Sequence, residues 1–76
     1  MNAKIVCDLC AKKIKVSGPS ISFLYDAAIE DHFVEVNDCN RLNGVLEIES
    51  KVRPGAISAT IRMDIHRSQY AARQAR

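Results

Sequence analysis

Three cysteines and two histidines are the residues of this 76-residue chain best suited to chemistry, and their spacing narrows what that chemistry is. Cys7-Asp8-Leu9-Cys10 puts two residues between two thiols, and a tight turn there can aim both sulfurs at one point. That is half of a tetrahedral zinc site, which takes four ligands from thiolate sulfur and neutral imidazole nitrogen. Cys39 offers a third thiol, and His32 or His66 a fourth ligand. The set Cys7, Cys10, His32 and Cys39 would tie the N-terminal segment to the far end of a central helix around one structural zinc. A competing reading treats the same cysteines as small buried hydrophobes, with His32 at a helix edge and His66 on the polar face of a strand. Thiol redox chemistry is disfavoured. A reactive Cys-x-x-Cys pair gains its low pKa at a helix N-terminus, whereas Ala11-Lys12-Lys13-Ile14-Lys15-Val16 alternates like a strand.

The segment Cys7-Asp8-Leu9-Cys10-Ala11-Lys12-Lys13-Ile14 resembles the first knuckle of zinc-ribbon and treble-clef domains. Ala11 stands where such knuckles usually carry glycine, and the second Cys-x2-Cys pair of those domains is missing. The resemblance covers residues 7–14 alone and implies a metal-holding turn there.

The elements that must position these side chains follow from the pattern around them. Lys4 to Cys7 and Lys12 to Val16 read as two short strands about the cysteine turn, with Ile14 and Val16 on one face. Ser17-Gly18-Pro19-Ser20 breaks the chain, and Ser20 suits a helix N-cap. Ile21, Leu24, Tyr25, Ala28, Phe33 and Val36 then recur at helical spacing, which predicts a helix from about 20 to 36. His32-Phe33-Val34-Glu35-Val36 is β-branched enough to compete as a strand after a shorter helix. Asn37 to Asn40 is turn-like, and Asn43-Gly44 is a hairpin dipeptide ahead of the strand Val45 to Glu49. Arg53-Pro54-Gly55-Ala56 fits a type II turn. Beyond it Ile57, Ala59, Ile61, Met63 and Ile65 alternate with polar residues, a strand with one buried face. Gln69 to Arg76 has helix propensity but little apolar face, so a short or frayed terminal helix is expected. The reading is α+β: a single domain over residues 1–76, an antiparallel sheet of about four strands in ββαββα order, packed on one main helix.

Composition bounds the function. A chain this short buries only about 60% of the surface its unfolded form exposes, so a staple or partner subunit would help its core. Four aromatic residues, Phe23, Tyr25, Phe33 and Tyr70, are too few for a base-stacking platform. The N-terminus offers no signal-peptide apolar run, and nothing approaches the ~20 apolar residues that span a bilayer. An odd number of cysteines fits poorly with a disulfide framework, so reduced thiols in the cytoplasm are expected. Catalysis is not expected either: there is no Gly-rich phosphate loop and no nucleophile elbow.

The net charge of +2 conceals a segregation. Residues 1–20 carry +3, residues 21–50 carry −6 and residues 51–76 carry +5. Such ends can pair with the acidic middle within one fold, pair between subunits, or serve phosphates. The favoured expectation is a small regulatory module acting through protein–protein interaction and self-association. The alternative is a zinc-stapled nucleic-acid-binding module that contacts phosphates through Lys12, Lys13 and Lys15 on the hairpin and Arg67, Arg73 and Arg76 near the C-terminus.

Overall fold

A computed structural model describes residues 1–74. The elements run β1 (Asn2–Val6), β2 (Lys13–Ser17), α1 (Ile21–Glu35), β3 (Arg41–Glu49), β4 (Ile57–His66) and α2 (Arg67–Gln74). The four strands form one antiparallel sheet in the order β2-β1-β3-β4. This is the α+β fold in ββαββα order that the hydrophobic pattern predicts, with α1 packed on one face of the sheet.

Alternation in the strands decides which side chains meet the helix. Ala3 and Ile5 from β1, Ile14 and Val16 from β2, and Leu42, Leu46 and Ile48 from β3 are buried. Against them α1 sets Leu24, Ala28, Ile29, His32 and Phe33. Each fully buried aliphatic side chain is worth about 1.5–3 kcal/mol of transfer free energy, so this layer is the hydrophobic core that the helix and sheet share. Ser20 caps the helix, its Oγ accepting from the Phe23 amide at 3.2 Å. Helix persists to Glu35 because His32 and Phe33 are buried in the core, and the exposed, β-branched Val34 is carried along between them and the helix end. Ile21, expected on the apolar stripe, is 42% exposed, while Ile29, absent from that stripe, is buried.

Two local expectations in the second half are corrected. Asn43-Gly44 is not a turn but lies inside β3, paired with Asp64 and Met63. Glycine serves close approach there: a Cβ at Gly44 would stand 2.4 Å from the Val6 carbonyl oxygen. The hairpin turn comes later, where Gly55 has φ 86° and the Ala56 amide bonds the Arg53 carbonyl at 3.0 Å, as in a type II turn. The second correction is Ile57. A register shift between Ile48 and Glu49 pairs Ile48 with Ala59 but Glu49 with Ile57, leaving Ser58 as the extra residue of a bulge. Ile57 therefore shares the open face with Glu49 and is 44% exposed, whereas Met63 and Ile65 are buried as the alternation predicts.

The terminal helix has no buried residues. It is held at its rim instead, by Tyr70 stacked on Phe33 at 5.5 Å, by Arg73 on Asp26 at 2.7 Å, and by Arg67. No helix among the described residues is long and apolar enough to cross a membrane.

Candidate metal centre

The topology itself gathers the candidate ligands. Because β1 and β3 are antiparallel, the end of β1 lies beside the start of β3, and the Asp8 amide bonds the Asn43 carbonyl at 2.7 Å. Cys7 directly follows β1 and Cys39 shortly precedes β3, so both fall at this end of the sheet. The helix α1 crosses the sheet and finishes here too, bringing in His32 from its last turn. The four side chains Cys7, Cys10, His32 and Cys39 converge, with one ligand atom from each lying within 4.8 Å of all the others. Three cysteines and a histidine so placed can hold a single metal ion. His66, the other histidine, is exposed at the end of β4 and outside the cluster.

The spacing of two of the sulfurs is close to the edge of a zinc tetrahedron. With Zn–S bonds of about 2.3 Å, the edge between two sulfurs of a regular tetrahedron is about 3.8 Å. The Cys7 and Cys39 sulfurs stand 4.0 Å apart, and all three cysteines are free thiols. Both of these sulfurs also lie near the Arg41 carbonyl oxygen, at 3.4 and 3.2 Å.

The Cys-x-x-Cys turn folds the chain back sharply. Ala11 has φ 62°, the left-handed conformation that glycine adopts most freely. That conformation turns the chain back, so the Ala11 amide bonds the Cys7 carbonyl at 2.8 Å and the Cys7 amide bonds the Lys12 carbonyl at 3.0 Å. Burial alone would raise the Cys7 pKa, but the N–H groups of Asn43, Leu9 and Cys10 outweigh it and hold this thiol below its ordinary value. Cys10 goes the other way: burial and the neighbouring Cys39 and Cys7 sulfurs push it up to about 11, against the pull of the Lys12 N–H. A cation at the centre would favour the thiolate form of every sulfur it touched.

His32 is the most telling member. Its side chain is fully buried, packed edge-on against Phe33 at 4.8 Å. Neither Nδ1 nor Nε2 has a hydrogen-bond partner. Burial, then the nearby Arg67 cation, lowers its pKa below the ordinary value, against the opposing pull of Glu35, which keeps the ring neutral as a metal ligand must be.

The five described cations among the six expected to meet phosphate are not gathered on one surface. Lys13 and Lys15 project from the exposed face of β2. Lys12 faces Glu35 at 3.9 Å and Arg73 binds Asp26. Arg67 is turned inward, donating to the carbonyls of Phe33, Val36 and Cys39. Arg76 lies outside the described residues. The inward role of Arg67 is not visible in the sequence, where it is one arginine of a basic tail. Comparison with protein-family models, with curated proteins and with solved structures found no match to this chain.

Proposed function

We propose that this chain is a zinc-stapled binding module, not a catalyst, whose metal is structural and whose open sheet face meets a second copy of the chain. The observation that carries the metal reading is His32: an imidazole at zero exposure, with both ring nitrogens unpartnered, set among three thiols. A buried polar group left without a partner costs about 1–3 kcal/mol, and coordination satisfies the nitrogen that faces the sulfurs. Four protein ligands complete a tetrahedron and leave no open position for substrate, which is the pattern of structural zinc. The reduced thiols that such a site needs suit a cytoplasmic setting.

The interaction reading rests on the face of the sheet turned away from α1. Val6, Val45 and Ile57 are exposed there at 46%, 39% and 44%. The strand β4 forms one border of the sheet and runs for ten residues. An edge of that length offers unpaired backbone groups to another chain. The nucleic-acid reading retains one observation in its favour: Lys4 stands directly opposite Lys15 on that same face, and Lys4, Lys13 and Lys15 have no ion pair among the described residues.

Native mass spectrometry with and without a chelator, repeated with a short oligonucleotide present, tests these readings together. One zinc per chain and a dimer mass indifferent to nucleic acid are expected. A metal-free protein would overturn the zinc reading. A monomer that takes up oligonucleotide in a salt-dependent way would replace the interaction reading with the nucleic-acid one.

A further inference from the structure

We infer that Arg67 is the counter-ion of the metal centre, a positioning residue that sets how tightly the centre holds its ion; this rests on the zinc reading above. The charges of the ligand set make the need plain. Three thiolates and a neutral imidazole around a divalent ion leave a net charge of −1 at a largely buried position. A buried charge without a partner is strongly unfavourable, so such a centre requires a cation close by.

Arg67 brings a guanidinium to the backbone of Cys39 and of the helix turn that carries His32. Its Nη2 donates to the Cys39 carbonyl at 2.9 Å and to the Val36 carbonyl, and its Nη1 donates to the Phe33 carbonyl at 3.2 Å. The last two residues flank the end of the helix that carries His32, and Cys39 is itself a candidate ligand. The guanidinium carbon lies 4.8 Å from the centre of the Phe33 ring. Its Nε is buried with no hydrogen-bond partner. The backbone of the same residue is anchored as well, its amide bonding the Asn40 carbonyl at 2.7 Å. The other described arginines near this end are engaged elsewhere: Arg41 with Asp64, and Arg62 with Asn43 and Asp8. An arginine used only to cap a helix would serve as well from the surface. This one is drawn under the last turn of α1, against the loop that carries Cys39.

Zinc retention against a chelator of known affinity, starting from loaded protein, tests the assignment. The wild-type chain is measured first: if it holds no zinc, the zinc reading fails and this inference fails with it. Given a loaded wild type, Arg67→Met should weaken zinc by about 10–100-fold, the usual effect of removing an outer-shell partner. Arg67→Lys, which keeps the charge but not the fork, should recover most of that loss. Tyr70→Ala, which loosens α2 without touching the charge, should leave affinity close to wild type. In a Cys10→His background the loaded centre is neutral, and Arg67→Met should there cost far less. Equal weakening by Arg67→Met and Arg67→Lys would show that Arg67 only braces carbonyls. No weakening by Arg67→Met, or the same loss in both backgrounds, would likewise overturn the counter-ion assignment.

Discussion

Ala11 carries a cost that its neighbours make unavoidable. Its φ of 62° turns the chain back so that the Ala11 amide meets the Cys7 carbonyl, and an L-residue with a Cβ occupies that region at about 1–2 kcal/mol. Glycine avoids this strain but loses more backbone entropy on folding. Ala11→Gly should therefore stabilise the protein modestly, by about 0.5–1 kcal/mol in a urea titration, with zinc affinity held or improved. A loss of stability would mean that the turn is not left-handed at this residue. His32 gives a pH dependence of definite sign. Its ordinary pKa is 6.5, and burial followed by the Arg67 charge lowers it in the folded chain. Between the folded value and 6.5 the unfolded chain binds the extra proton, so stability rises with pH in that window. Stability is full above 6.5 and is lost as the pH falls through the folded value; protons competing for the ligands act in the same direction. The urea midpoint should be lower at about pH 5.5 than at about pH 7.5, and an unchanged or higher midpoint would contradict a buried neutral imidazole.

The strand β4 shows how far periodicity reaches and where it stops. Met63 has no exposure, so Met63→Ala should cost about 2–5 kcal/mol as a core truncation. Ile57→Ala should be nearly neutral despite the same apparent phase, because the bulge turns Ile57 to the open face. Equal losses would indicate either that the bulge is absent or that a partner chain covers that face. Alternation, the Ser20 cap and the Pro54-Gly55 turn made the order of elements legible, since each depends on neighbours in sequence. The bulge depends on how the β3–β4 loop closes, which no alternation records. Asn43-Gly44 carries a turn dipeptide but answers to the Val6 carbonyl, a contact 37–38 positions away in the chain. The same divide runs through the metal centre. The knuckle was readable because its ligands are close in sequence, and His32 and Cys39 followed from needing two more. Arg67 looks in the sequence like part of a basic tail because its partners are backbone carbonyls, which no residue type announces.

At the scale of the whole molecule, only a minority of the segregated charges meet in pairs across the fold. Lys12 meets Glu35, Arg62 meets Asp8 and Arg73 meets Asp26, all at exposed positions. Such pairs are worth little each, typically below about 1 kcal/mol, so they set orientation more than stability. Stability must come from one modest core and from the end of the sheet where β1, α1 and the Cys39 loop meet. Structural zinc contributes apparent free energies of roughly 10–16 kcal/mol in small zinc-finger peptides, as large as the whole stability of a typical domain. Chelation under reducing conditions, followed by far-ultraviolet circular dichroism and metal analysis of the same sample, is the most direct test. One zinc per chain is expected, with loss of structure when it is removed, recovery when it is returned, and a Cys10→Ser variant that behaves like the chelated protein. A chain purified without stoichiometric metal that stays folded in excess chelator would contradict the zinc reading, and would leave Cys7, Cys10 and Cys39 as ordinary core residues.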